Sequence, residues 1–383
     1  MASEPRQPSL LSIRGLPTIL AIGAAVFGGW AMLLPVVPLA LSLSGESDAI
    51  AGASTAVFMA ATVAVQLATP KLLRAWGYRR VLAAGAALLG LPAFALLLST
   101  DAIPVLGISA VRGIGFGLIT VAGAAFVAEI TPDHQLGRAS AAIGIASAGG
   151  QVVGLPAGLA LVDLTSTAPV FVIGALIPTI AMAAVALLPD VYPKSSDDGA
   201  RRVRLPLTAL LGPLLAMIVL AAALGGVTSL VPIATHDVAI VATIALAATS
   251  ACQVAGRYAA GALSDRFGPG RLLVPSLAVA ATGLALLAFA LHSDVWALGV
   301  IVGGALLGLG FGACQNDSLV VIFAAAGPYR RGSASAAWNI AYDGGTGIGA
   351  LSLGVLATVQ GYSLAFVVAA VAVALAVPFT LKT

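Results

Sequence analysis

The sequence predicts an all-α integral membrane protein: twelve transmembrane helices in two six-helix, pseudo-symmetric halves. Three observations predict it. Of 383 residues 60% are hydrophobic and only 9% charged, with a mean hydropathy of +1.07, whereas soluble domains carry about 25% charged residues. Apolar runs recur along the chain, each supplying the ~20 residues that one bilayer crossing needs. The second half of the chain also repeats the order of the first. Inside hydrocarbon the backbone must pair with itself, which leaves helices or a closed barrel. The runs are continuous and rich in Ala, Leu, Val and Gly rather than alternating, so they predict helices.

The spans fall at 17–42, 50–69, 80–99, 102–129, 138–162 and 168–188, then at 206–234, 238–262, 272–291, 295–325, 333–358 and 362–381. The polar first 16 residues, with Arg6 and Arg14, precede a long span with no cleavage site, which predicts a retained helix rather than a signal peptide. Acidic and small residues make the turn before 50–69, and "PKLLRAWGYRR" (70–80) makes the next. The longest interruption, "PDVYPKSSDDGARRVRL" (189–205), divides the chain into six-helix bundles 1–188 and 206–383. Cys252 and Cys314 fall inside spans and read as small core residues rather than a disulfide.

Charge placement tests the span count. Of 18 Lys and Arg, 16 lie in the termini and the loops of one side: Arg6, Arg14, Lys71, Arg74, Arg79, Arg80, Arg138, Lys194, Arg201, Arg202, Arg204, Arg266, Arg271, Arg330, Arg331 and Lys382. The other two, Arg112 and Arg257, lie within spans. Loops of the opposite side hold acids and His, such as Glu46, Asp101, Asp237 and His292. Excess Lys and Arg mark the cytoplasmic side, so both termini and the central loop are expected in the cytoplasm, with the protein in the cell (inner or plasma) membrane.

The halves align at an offset near 195. "GFG" at 115–117 recurs at 310–312, and "GRASAAIGIASAGGQVVG" (137–154) aligns with "GSASAAWNIAYDGGTGIG" (332–349). "GGWAMLLP" (28–35) and "GGVTSLVP" (225–232) match at a nearby offset. Six helices repeated in parallel about a polar linker are the layout of a carrier whose halves rock about a mid-membrane site.

Four motifs carry the chemistry. Residues 261–271, "GALSDRFGPGR", join the eighth and ninth spans, with Gly261, Asp265, Arg266, Gly268 and Arg271 in the pattern G-x-L-x-D-R-x-G-x-x-R. This loop resembles the signature of the major facilitator superfamily, and the resemblance extends over the whole chain. It implies twelve helices, alternating access and a cytoplasmic latch, in which a carboxylate such as Asp265 binds a helix N-terminus across the two halves. Residues 137–140 are the expected receptor. The matching first-half loop keeps Gly77 and Arg80 but has Arg74 in place of the aspartate.

"RGIGFG" resembles the family's R-x-x-x-G element in the fourth span. Arg112 there reads as functional, because intramembrane charge is costly, or as a side chain snorkelling to the outer interface. "GGQVVGLPAGLAL" (149–161) resembles the fifth-span motif of the antiporter branch, although Leu155 separates Gly154 from Pro156. It also reads as close helix packing with a proline kink.

Asp343, in "AYDGGTGIGA", lies near the bilayer midplane, where a carboxylate costs about 2.5–3.5 kcal/mol or more. It is expected to face a water-accessible cavity and to exchange a proton, with Arg112 modulating that step; a structural bond to a neighbouring helix is the alternative. Ala148 stands at the matching first-half position. Asn339 shares its helix face one turn earlier, and Trp338 and Tyr342 border it. Trp30, Gln151 and Asn316 complete the expected substrate cavity. Asp317 is expected in a gating or structural role, paired with Arg257 or with a helix terminus.

No phosphate-binding loop, metal-ligand spacing or nucleophile–base pair is found, so an enzyme, an ATP-driven pump and a cofactor are not expected. The expected partners are a small-molecule substrate, protons and the lipid bilayer, with no nucleic acid, and the protein is expected to be a monomer. The resemblance implies proton-coupled export of a lipophilic or amphipathic molecule. Proton symport or facilitated import of a metabolite stays open, as does a non-transporting receptor or assembly role.

Overall fold

In the computed structural model, residues 10–132, 135–193, 207–292, 295–326 and 331–381 are described, without the side chains of residues 207–209, 239, 265, 267 and 331–333. All long elements among them are helices. The first half comprises α1 (Leu16–Leu43), α2 (Asp48–Gly90), α3 (Ala102–Ile130), α4 (Leu136–Leu164) and α5 (Thr167–Ala184). The second comprises α6 (Leu207–Ala234), α7 (Ala239–Phe267), α8 (Leu273–Ala290), α9 (Ala297–Ala326), α10 (Arg331–Gln360) and α11 (Tyr362–Thr380).

Eleven helices still make twelve crossings, because α2 contains two. The expected loop 70–79 is instead helical up to Gly77, whose φ of 74° and ψ of 169° break the helix. Only glycine adopts that backbone without strain, and Tyr192 packs against it too closely for a Cβ. The neighbours of α3 show that the chain reverses there. Gly113, Gly117 and Thr120 meet Phe58, Thr62 and Gln66 in rising order, whereas Gly115 and Ile119 meet Leu89 and Gly85 in falling order. The two stretches of α2 therefore run antiparallel, one on each side of α3. A 3₁₀ segment, Leu91–Leu97, finishes the second crossing.

The internal repeat has a physical basis in small residues. Gly150 and Gly154 of α4 touch the carbonyls of Ala24 and Gly28 of α1. At the repeat offset, Gly345 and Gly349 of α10 touch those of Ile218 and Ala222 of α6. In a membrane, helices associate through such close van der Waals approach, since lipid is as apolar as leucine. The glycines of "GGQVVGLPAG" thus serve the α1–α4 contact, where Gly158 similarly meets Met32.

The halves meet along two seams, α2 with α10 and α4 with α7. Residues at the far end from the termini close both seams. Ala49 N donates to Thr358 Oγ1 at 3.0 Å, and Thr243 Oγ1 donates to Asp163 Oδ2 at 2.9 Å. Thr55 and Ser229 hydroxyls pair at 3.2 Å between α2 and α6. Among the described residues, no hydrogen bond joins the halves at the terminal side.

Candidate functional site

A cavity of about 310 Å³ lies between the halves. Its walls come mainly from the terminal-side parts of α1, α4, α7 and α10, with α3, α6 and Gln315 of α9 above. The cavity lies on the terminal side of the bonds that join the halves at Ala49–Thr358 and Thr243–Asp163. One wall is aromatic: Phe27, Trp30 and Phe116 line it, with Trp30 stacked on Phe116 at a 4.5 Å centroid separation. Phe58 backs this cluster from α2. Opposite it stand Trp338 and Tyr342, whose ring centroids are 6.0 Å apart. Amides of Gln151, Gln253, Gln315 and Asn339 share the polar lining with several Ser and Thr hydroxyls.

Asp343 sits near the middle of the 30-residue α10, lines the cavity and is only 5% exposed. Its partner comes from the other half. Gln66 Nε2 of α2 donates to Asp343 Oδ2 at 2.7 Å and reaches Thr120 Oγ1 at 3.3 Å. Gln66 is 8% exposed, and its Oε1 is buried with no hydrogen-bond partner. Beside this pair Tyr342 and Gln151 of α4 line the same cavity. The carboxylate is therefore buried, adjacent to the cavity, and fixed across the interface that must move.

Other expected residues distribute unevenly. Trp30, Gln151, Trp338, Asn339 and Tyr342 all line the cavity. Trp338 Nε1 donates to Ser318 Oγ at 3.0 Å, and Asn339 donates to the Ser335 carbonyl at 2.8 Å, so both are oriented from within the second half. Asn316 is a correction: it turns toward Gly261 of α7, and its neighbour Gln315 takes the cavity position. One residue of helical rotation, about 100°, separates the two faces.

Arg112 corrects the snorkelling reading. Far from snorkelling, it is 3% exposed inside the first half, with Nε donating to the Leu89 carbonyl at 3.3 Å and the guanidinium 5.6 Å from the Phe58 ring centre. It borders a small void with Ser54, Thr55 and Ser109 and is not among the residues lining the main cavity with Asp343.

The Asp317–Arg257 pair is a third correction. Asp317 is fully buried and binds the loop between α7 and α8. Its Oδ1 accepts from Ser264 Oγ at 3.1 Å and Gly270 N at 2.9 Å, and its Oδ2 accepts from Leu272 N at 2.9 Å. Gly268 and Gly270, with φ of 89° and 87°, turn that backbone so that its N–H groups face the carboxylate. Half of the expectation holds, because Asp317 does bind a helix entry. Arg257 instead lines the cavity, and among the described residues its guanidinium makes no hydrogen bond or ion pair. Arg266 and Arg271 are exposed around the same loop. The Asp265 side chain, and with it the expected latch, lies outside the described residues.

This architecture identifies the family. The model of the Major Facilitator Superfamily matches residues 19–240 and again 208–382. The chain belongs to the major facilitator superfamily. No curated protein matches it. Solved structures do. A bacterial homologue of the human lysosomal transporter Spinster, in an inward-facing and unoccupied conformation, is 15% identical with a TM-score of 0.78, covering 98% of this chain and 97% of that one. The nucleoside transporter NupG is 14% identical with a TM-score of 0.73, covering 96% and 99%. At such identities these likenesses concern the fold of the superfamily, not its cargo.

Sequence reading missed Gln66, Gln253 and Gln315. A glutamine within an apolar span is the signal that could have found Gln66, since a buried amide needs partners. Thr62 and Thr69 in the same span carry similar polarity, yet they bond only to backbone carbonyls.

Proposed function

We propose that this superfamily transporter is a proton-coupled carrier that exports a small amphipathic molecule, with Asp343 as the group that gains and loses the proton. The observation that carries the reading is the Asp343–Gln66 bond between the halves at the cavity wall. A charged Asp343 is held by a charge-assisted hydrogen bond from the amide, of the stronger kind. A protonated Asp343 becomes a donor, and half a turn of the amide would offer it the unpartnered Oε1. Gln66 can thus serve both states, while the strength of the link between the halves changes with the proton. Bundles 1–188 and 206–383 would then rock about the 189–205 linker, exposing the cavity alternately.

Outward transport is supported by the α4 pattern resembling that of antiporters. The aromatic wall and small number of charged lining groups suit an amphipathic cargo. A second reading, cotransport of proton and substrate inward, is favoured by Arg257. A cavity holding one unpaired cation accepts an anion more readily once Asp343 is neutral, and by linkage the anion then favours proton uptake.

The test compares accumulation of fluorescent amphipathic compounds in cells bearing wild type, Asp343→Asn at matched membrane levels, or empty vector. Export driven by protons predicts lowered accumulation in wild type, abolished by an uncoupler and lost in Asp343→Asn. Raised accumulation with the same dependence replaces export with cotransport. Export retained by Asp343→Asn would assign the aspartate a structural role.

A further inference from the structure

We infer that the cavity takes an amphipathic monocarboxylate, with Arg257 of α7 as the residue that binds its carboxylate. The inference rests on the cavity proposed above as the substrate site, and not on the direction or coupling of transport.

The argument is one of unmatched donors. An arginine carries five N–H donors in a rigid planar fork and stays charged in proteins. In a membrane cavity such a group demands a partner, because unpaired charge away from bulk water is costly. Arg257 is partly buried and lines the cavity, yet among the described residues it has neither hydrogen bond nor ion pair. The carboxylates that could neutralise it are already engaged. Asp317 is held by three donors of the α7–α8 loop, and Asp343 by Gln66. Among the described residues, Arg257 and Asp343 are the only charged ones lining the cavity.

Neighbouring groups refine the class. Gln253 lies one helical turn before Arg257, and its Nε2 reaches Gln315 Oε1 at only 3.5 Å, a weak contact that a carboxylate oxygen can replace. Arg with an adjacent amide donor suits a carboxylate, which accepts a bidentate fork. A dianionic phosphate would leave one charge unmatched, since the cavity offers a single free cation among its described lining residues. The remaining wall, from Phe27, Trp30 and Phe116, calls for an apolar or aromatic body. A volume of about 310 Å³ sits at the small end of ligand pockets, which favours one or two rings or a medium alkyl chain.

The experiment is equilibrium binding to the full chain in lipid nanodiscs, with empty nanodiscs subtracted and no proton gradient. Two matched sets serve as probes: 1-naphthaleneacetate, its primary amide and 2-(1-naphthyl)ethylamine; and decanoate, decanamide and decylamine. At least one acid is expected to bind about tenfold or more tighter than its amide and amine, the effect of one charge-assisted contact. Arg257→Gln is expected to lose that preference and Arg257→Lys to retain part of it, with Gln253→Ala reducing it by a smaller factor. Binding is read at equilibrium with no proton gradient, so a failure of proton coupling leaves this result intact. The inference is overturned if neither acid binds, if amide or amine binds as tightly as its acid, or if Arg257→Gln binds the acid like wild type. Should Arg257→Gln not fold, the Lys and Gln253→Ala variants decide, and unchanged acid preference in both overturns it.

Discussion

The two seams between the halves are related by the internal repeat, yet they are built differently. The α2–α10 seam is joined from its far end to the middle of the membrane. Ala49 binds Thr358, Gly52 lies against the Ala350 carbonyl, Gly347 packs on Met59 and Ala56, and Gln66 binds Asp343. The α4–α7 seam has the Thr243–Asp163 bond at its far end, and lower down its helices part to form the cavity wall that carries Arg257. The buried carboxylate of Asp343 is thereby placed where the halves touch, and Arg257, with no hydrogen bond or ion pair among the described residues, where they separate. Under the proposed function, proton and substrate sites would communicate through motion of the halves without sharing a residue.

Breaking the joined seam should have the largest effect. A side chain at Gly52 would run into the α10 backbone at Ala350. Gly52→Leu is therefore expected to destabilise the protein by about 1–3 kcal/mol and to open the far side. A cysteine placed at Thr55, now 3% exposed, would then react with a membrane-impermeant maleimide many times faster than in the parent. Unchanged labelling would mean that the α2–α10 contact does not hold that side shut.

Gln66→Leu tests the middle of the same seam more gently. It leaves Asp343 without its amide donor, a loss of about 1.5–3 kcal/mol for a hydrogen bond to a charged group. Thermal stability in nanodiscs should fall more at neutral pH than at low pH, because a protonated Asp343 loses less. Equal loss at both pH values would show that Asp343 does not change its protonation state there.

Thr243→Val sharpens the comparison from the other side. The Thr243–Asp163 bond lies at the far end of the looser seam, and its removal should cost about 0.5–1.5 kcal/mol. Transport is expected to stay within about two- to tenfold of wild type, the factor that such an energy corresponds to. A defect as large as that of Gln66→Leu would make the two seams equivalent and remove the asymmetry argued here.

Much of this was legible in the chain. Asp343 stands out because a carboxylate amid apolar residues has no ordinary place in a bilayer. Lys and Arg placement yields the same twelve crossings that the packing of α2 on α3 requires. The roles of Arg257 and Gln66 were not legible. Sequence offered Asp317 as the nearest counter-charge for Arg257, whereas turning glycines at 268 and 270 direct backbone N–H groups onto that carboxylate instead. Asn316 and Gln315 differ by one position, and only the helix's rotation decided which of them meets the cavity.

Hydropathy, repeated order and charge asymmetry by themselves determined a membrane protein of two similar helical halves, because bilayer thickness and backbone hydrogen bonding leave few other solutions for such a chain; the 261–271 loop carried its resemblance to the major facilitator superfamily. Which polar side chains meet across the halves, and which cation is left facing the cavity, were decided only by tertiary structure. Those outcomes depend on helix rotation and on contacts between residues as far apart as 66 and 343, where a shift of one position exchanges a buried face for an open one.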